Sequence, residues 1–284
     1  MKTNTLDFDA QALREKILDL AMRGKLVPQD PNDEPASELM KNNDLKSSDE
    51  KPHDIPDSWE WVVLGSGVKF INGRAYKKVE LLEDNSLTPV LRVGNLFTNS
   101  SWYYSNLNLD SDKYIDNGDL IYAWSASFGP RIWDGGHVIY HYHIWKLILD
   151  QAIDKNYLYY FLLDKRNVIG ETDLHGSTMK HITKTNIEHL SFPLPPLSEQ
   201  SRIAAKIAQL FALLRKVESS IQQYANLKDL LKSKLLDLAM RGKLVDQDPN
   251  DEPANVLLDK IKAEKDQLVK EKKIKSLPEI TDGL

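Results

Sequence analysis

The chain has no cysteine, no long apolar run and no strongly basic segment. The first absence excludes disulfides, a thiol nucleophile and cysteine-ligated zinc, and fits a reducing cytoplasm. The second leaves no candidate membrane span, and the opening MKTNTLDFDAQ lacks the apolar stretch of a signal peptide. With 284 residues, 41% hydrophobic and 28% charged, the chain reads as soluble and globular, with one or two domains and enough length for a real core. Basic against acidic residues number 8 to 12 over residues 1–56, 13 to 16 over 57–196 and 16 to 14 over 197–284, for a net charge of -5. Nucleic-acid binding driven by bulk electrostatics is disfavoured, so any such contact has to rest on a local surface or a partner's charge.

Catalytic signatures are missing as well. There is no GxxxxGKS phosphate loop, HExxH, GxSxG or GxGxxG, and no N-P-P-F or D-P-P-Y run of the amino-methyltransferase kind. LPPL at Leu194 to Leu197 lacks both the polar residue and the aromatic. Nothing here reads as an enzyme. His141 and His143 have the i, i+2 spacing that lets one strand face hold a metal, but the sequence suggests no third ligand, and no metal site is assigned. The acidic DPNDE runs lack the glycine and terminal glutamate of a calcium loop.

What is present is a repeat. LREKILDLAMRGKLVPQDPNDEPA (Leu13 to Ala36) returns as LKSKLLDLAMRGKLVDQDPNDEPA (Leu231 to Ala254), matching at 20 of 24 positions at an offset of 218 residues. That period is far longer than the roughly 20 to 50 residues of a solenoid unit, so the chain is one long period followed by a second copy of its own beginning.

Between the copies the texture changes twice. Residues 1–56 hold a helix over 8–24, with Phe8, Leu13, Ile17 and Leu20 on one face and Gly24 as its C-terminal stop, then QDPNDEP as a turn. A short helix near Ala36 to Lys41 and the polar linker NNDLKSSDEKPHDIPDS follow. Residues 57–196 carry all six Trp and ten of eleven Tyr in short strand-like runs broken by turns, a mixed domain of ordinary size. HVIYHYHIWKLIL (His137 to Leu149) reads as a strand there, and KNYLYYFLLDKRNVI (Lys155 to Ile169) as a helix.

Residues 197–245 are purely helical, with Ser198 as cap and Glu199 and Gln200 in the first turn. Ile203, Ile207, Leu210, Leu214, Val217, Ile221, Tyr224, Lys228, Leu231, Leu235 and Leu238 alternate steps of four and three. Such a helix spans roughly 66 Å at about 1.5 Å per residue, and a seam that long needs a partner helix. Residues 246–284 add a loop and a Lys-rich helix, seven Lys against four acids over 259–275, which reads as a solvated face or a partner contact. The fold class is α+β.

Features suited to DNA lie in the middle domain. NGRAYKK sets Arg74, Lys77 and Lys78 around an aromatic, and LRVGNL offers Arg92 and Asn95, side chains that pair with guanine and adenine edges. WSASFGPR (Trp124 to Arg131) is a small-residue loop ending in Arg131, and HGSTMKHITK (His175 to Lys184) joins hydroxyls to Lys180 and Lys184.

At this point the chain resembles a known family. FPLPPLSEQSRIAAKI before a long helix, a GST-x-K-x-I turn ahead of it, RGKLVPQDPNDEPASEL and IPDSWEWVVLG together resemble specificity subunits of type I restriction-modification systems, over nearly the whole chain. The resemblance implies a mixed α/β target-recognition domain with a long coiled-coil helix and short N-terminal helices. It implies a non-catalytic protein of the prokaryotic cytoplasm that reads part of a bipartite double-stranded DNA site. Partners would be adenine methyltransferase subunits using S-adenosylmethionine and restriction subunits using ATP and magnesium, with no cofactor on this chain.

By the same resemblance the GST-x-K turn (Gly176, Ser177, Thr178, Lys180) and the loop through Ser125, Ser127 and Arg131 become DNA contacts. The family's Gly-Ser-x-Gly loop stands here as SASFG, which changes its backbone freedom. The chain departs from the family in having one recognition domain and one long helix, so it resembles a half-subunit, and two copies are expected to pair their helices antiparallel and read an inverted, interrupted repeat. Two alternatives stand beside that: a fragment of a two-domain subunit, and a methyltransferase-binding scaffold or anti-restriction protein that does not read DNA. Whether the first repeat completes the helical bundle within a chain or across a dimer is open.

Overall fold

Asp9 opens the first helix, α1 (Ala10–Met22): its carboxylate accepts from the Ala12 amide at 2.9 Å, satisfying a donor the helix itself cannot pair. Gly24, at φ +66°, ends it through Lys25 N–H to Leu20 O at 2.8 Å and Gly24 N–H to Ala21 O at 3.2 Å, the paired bonds of a left-handed helix stop. A Cβ at Gly24 would also lie 2.3 Å from Pro56 Cγ, so conformation and space both demand glycine. The apolar face expected from Leu13, Ile17 and Leu20 is rotated. Ala10, Leu18, Ala21 and Met22 are the buried residues, Ile17 is half-buried against the same core, and Leu13 is exposed.

The computed structural model describes residues 8–97, 100–125, 129–169 and 182–275. They fall into two compact units, Met1–Glu218 and Ser219–Leu284. After α1 come α2 (Ala36–Asn42), β1 (Glu60–Val63), the one-turn α3 (Leu64–Gly67), β2 (Val68–Asn72), β3 (Thr88–Leu91) and α4 (Val93–Phe97). Then follow β4 (Tyr103–Ser105), β5 (Tyr114–Ile115), β6 (Leu120–Ala123), β7 (Gly129–Ile132), β8 (Val138–Tyr140), β9 (Ile144–Leu149), α5 (Lys155–Leu163) and α6 (Lys165–Ile169). The chain ends with α7 (Lys184–Glu188), β10 (Ser191–Leu194), α8 (Leu197–Met240) and α9 (Ala254–Lys270).

Two four-stranded sheets, β2-β9-β6-β7 and β4-β3-β8-β5, build the body, with β1 and β10 as a separate antiparallel pair. Among the described strands β3 and β8 pair in parallel. LIYA of β6 is buried on both faces: Leu120 and Tyr122 enter one core with α5 and α8, and Ile121 and Ala123 enter a second with Trp133, Val138 and Tyr140.

Two elements read as continuous are broken. His137 to Leu149 divides into β8 and β9, strands of different sheets joined by a turn closed by Ile144 N–H to His141 O at 2.9 Å, so His141 and His143 do not share a strand face. Lys155 to Ile169 divides at the buried Asp164, whose carboxylate draws the Arg166 amide and guanidinium to itself. The polar stretch before β1, which reads as a linker, packs on the body: Ser48 N–H donates to Trp61 O, Val63 N–H to Lys46 O, and Leu45 is buried.

The first turn of α8 is where the first repeat docks. The helix begins at Leu197, so Ser198 lies inside it and does not cap it; its hydroxyl donates to Asp33 instead. Arg202 holds the same carboxylate with two bonds, at 2.6 and 3.1 Å. Glu199, 1% exposed, accepts from Gln29 Nε2 at 2.6 Å and from Trp59 Nε1 at 3.0 Å, and burial raises its pKa despite both donors. Gln200, also buried, donates to Ala152 O and Pro195 O and accepts from the Asp154 amide, tying α8 to the start of α5.

The heptad seam begins in this same core. Ile203 and Ile207 are fully buried in the body of their own chain, and Leu214 packs against that core, whereas Val217, Leu231 and Leu235 are exposed and Leu210, Ile221 and Leu238 half-buried. A period of three and four marks a helix face that wants apolar company without saying whose. In the second unit α8 ends at Gly242, φ +62°, and the loop leads into α9.

Hydrogen bonding to Arg202 holds the Asp33 carboxyl below its ordinary 3.8, so the folded state favours the ionised form. That stabilisation is present above the ordinary value and is lost as pH falls through the lowered one. Asp33→Asn is expected to cost about 1 kcal/mol at pH 7 in urea titrations, since Arg202 is partly open to solvent, with the gap to the unsubstituted chain closing as pH drops below about 3.8.

Candidate nucleic-acid interface

NGRAYKK lands where β2 ends and crosses the β8–β9 turn. Gly73 N–H donates to Ile144 O at 3.2 Å, Arg74 N–H to Tyr140 O at 3.0 Å, and Arg74 O accepts from the Tyr142 amide at 3.1 Å. A Cβ on Gly73 would sit 2.4 Å from Tyr140 O, so only glycine allows this approach. Arg74 is then locked: Glu80 grips its guanidinium at 2.7 and 3.1 Å, and it lies 5.3 Å from the Tyr76 ring centre. Lys77 and Lys78 begin the following 3-10 turn and are exposed.

The turn itself is an aromatic cluster. The rings of His141 and His143 lie 4.8 Å apart, and those of Tyr142 and His143 4.0 Å. Trp124 meets His143 edge-on at 4.9 Å, stacks on Trp145 at 5.7 Å and donates from Nε1 to Tyr142 O at 2.9 Å. Burial, with His143 and Arg92 nearby, pushes the His141 pKa down to about 4, so His141 is neutral at physiological pH. Tyr142 is exposed and Ser125, next to Trp124, half-buried.

On the other side of His141, Arg92 and Asn95 form one capped turn. Asn95 Oδ1 accepts from the Arg92 amide at 3.2 Å, and both side chains donate to Ser101 O, at 2.8 Å from Asn95 and 3.3 Å from Arg92. Arg92 sits 4.5 Å over the Tyr103 ring, and its buried Nε has no hydrogen-bond partner among the described residues. Arg131, on β7, donates to Leu96 O at 3.2 Å and lies 3.5 Å from Asp134.

The structure thus sets Arg74, Arg92 and Trp124 at the ends of β2, β3 and β6 around the β8–β9 turn, with Asn95 beside Arg92, while Arg131 lies within β7 and joins them through Leu96 O, next to Asn95. Most of their polar groups are engaged within the chain. Lys184 stands on α7, 3.6 Å from Glu188, where α7 packs on α3 and β2. Ser127, Gly176, Ser177, Thr178 and Lys180 lie outside the described residues. Trp124 opens the WSASFGPR stretch flagged above, whereas Tyr103 and Tyr142 carry no signal in the sequence beyond, for Tyr142, the HYH triplet, which has the composition of a strand interior. Among the described residues no group of three or more His, Asp or Glu could hold a metal ion, and no helix is long and apolar enough to cross a membrane.

Comparison with known proteins places this body. Residues 56–223 match the model of the type I restriction modification DNA specificity domain. The chain is 32% identical to the specificity subunit of the type I restriction enzyme EcoAI and 30% identical to that of EcoEI, both from Escherichia coli. Each alignment takes in 97% of this chain and 59% of the relative, so the chain spans a little over half the length of these proteins. A chain solved in work on complex assembly and conformational transition of the type I restriction-modification system shares the fold, with a TM-score of 0.58 and 21% identity over 82% of this chain and 54% of that one. The match over more than half of its residues, on the body that carries the arginine and aromatic cluster, makes this chain a member of the type I restriction-modification DNA specificity family.

Proposed function

We propose that the chain is a non-catalytic DNA-reading subunit whose single body recognises one half of a bipartite double-stranded site. The family match over residues 56–223 carries this reading. The aromatic and arginine surface beside the β8–β9 turn supports it, because stacked rings and fixed guanidinium groups suit base edges and phosphates while a net charge of -5 does not suit indiscriminate binding. Adenine methyltransferase subunits, bringing S-adenosylmethionine, and restriction subunits, bringing ATP and magnesium, would supply the chemistry.

Two copies would pair along α8. Support comes from the run Val217, Tyr224, Leu227, Leu231 and Leu235, all exposed on one long helix, which is more apolar surface than an unpartnered helix ordinarily shows. The pair would have twofold symmetry and so would its target. Coexpression with the cognate methyltransferase, followed by mapping of methylated adenine, is expected to yield an inverted repeat interrupted by a spacer; an asymmetric motif or absent methylation counts against the reading.

Two finer outcomes follow. Lys77→Ala with Lys78→Ala should weaken binding to all sequences alike and lower the salt dependence by about one ion per lysine, whereas Arg131→Ala should cost about 1–3 kcal/mol on the cognate site alone, read by anisotropy of the assembled complex across salt. Leu231→Glu with Leu235→Glu should leave the melting curve of the body unchanged and turn a dimer into a monomer by light scattering.

A further inference from the structure

The second repeat copies the first in shape as well as in sequence. Gly242 repeats the positive φ of Gly24, and Lys243 N–H to Leu238 O at 2.8 Å repeats Lys25 N–H to Leu20 O at 2.8 Å. Arg241 pairs with Asp237 at 2.7 Å as Arg23 does with Asp19 at 2.6 Å. Asn250 folds back on Asp248 as Asn32 does on Asp30, and Pro253 precedes α9 as Pro35 precedes α2. Local interactions alone therefore preform this segment.

Surroundings are what differ. Leu18 and Met22 are 4% and 3% exposed; their counterparts Leu236 and Met240 are 67% and 87% exposed. Gln29 and Asp33 hold Glu199, Ser198 and Arg202, while Gln247 and Asp251 are exposed. The Cβ position of Gly24 is filled by Pro56 and Trp59, and that of Gly242 meets only the end of Gln247, at 3.4 Å. Leu236 and Met240, left open in the second copy, correspond to residues the first copy buries, and Gln247 and Asp251 to residues through which the first copy bonds α8.

We propose that the second copy docks on the α8 base of a second copy of this chain, taking there the seat that the first copy fills in its own. The inference rests on the homodimer proposed above. The seat's chemistry names this occupant: Asp251 complements Ser198 and Arg202, Gln247 complements Glu199 beside Trp59, and Leu236 and Met240 fit where Leu18 and Met22 sit. The four differences between the copies respect the seat. Arg14, which pairs with Glu218, becomes Lys232 and keeps its charge. Glu15 contributes its backbone carbonyl to Arg166, a bond that Ser233 can repeat, while the charge of the Glu15 carboxylate near that guanidinium is lost. Ile17 becomes Leu235, of equal size, and the exposed Pro28 becomes Asp246. The two copies thus compete for one seat, and an exchange between protomers links the dimer through both bodies as well as through the helix seam.

The absence of native cysteine makes the test direct. Full-length Ser198→Cys chains carrying a size tag are mixed with untagged Asp251→Cys chains and oxidised. A disulfide-linked pair of tagged and untagged chains is expected at more than ten times the yield obtained when Lys265→Cys replaces Asp251→Cys. Asp251→Ala in the otherwise unaltered chain should raise the dimer dissociation constant about tenfold. Light scattering of the reduced mixture separates the two readings: a dimer whose crosslinking equals the control overturns the exchange and leaves the homodimer standing, and a monomer overturns both.

Discussion

The contact between the loop of the first repeat and the first turn of α8 is the constraint on which the rest depends. Three side chains of one helical turn, Ser198, Glu199 and Arg202, meet Asp33 and Gln29, and Glu199 is shared with the indole of Trp59. Glu199 would be costly to bury alone, and the two donors directed at it make its burial tolerable. Because these partners come from residues 29, 33 and 59 and from the helix, one polar junction ties together the N-terminal segment, the entry into the body and the first turn of α8. Gln200, bonded to Ala152 and Asp154, adds the start of α5 to the same junction.

With that junction set, the body can carry its surface on strand ends. The β8–β9 turn connects strands of two different sheets, so its three residues stand at the seam between them: His141 N–H still reaches Leu91 O on the β3 side and His143 O still accepts from the Trp124 amide on the β6 side. Gly73 permits the chain after β2 to cross that turn, and Arg74 is held in place by Glu80. Arg92 and Asn95 are braced on Ser101 O from the other side. Bracing of this kind limits what each group can offer a ligand while fixing where it stands, the economy expected of a recognition surface.

Much of the architecture was legible from residues alone: the repeat, the glycine stop of α1, the mixed character of 57–196 and the length of α8. The misreadings have a common cause. HVIYHYHIWKLIL has the composition of one strand throughout, and only the partners of β8 and β9, in separate sheets, break it. KNYLYYFLLDKRNVI has helical periodicity throughout, and a single buried aspartate divides it. In the candidate site, the arginines were visible as residue types, but the intrachain bonds of Arg74 and Asn95 depend on Glu80 and Ser101 reaching them in the folded state.

The sequence by itself determined what is local: helix starts and stops, turn geometry, and the identical shape of the two DLAMRGKLV copies, because each rests on bonds between residues a few positions apart. Tertiary structure alone decided which copy is buried and which is open, that Ile203 and Ile207 belong to the chain's own core, and that His141 faces Arg92 across a turn. Those outcomes depend on contacts between residues far apart in the chain, and a short segment carries no record of them.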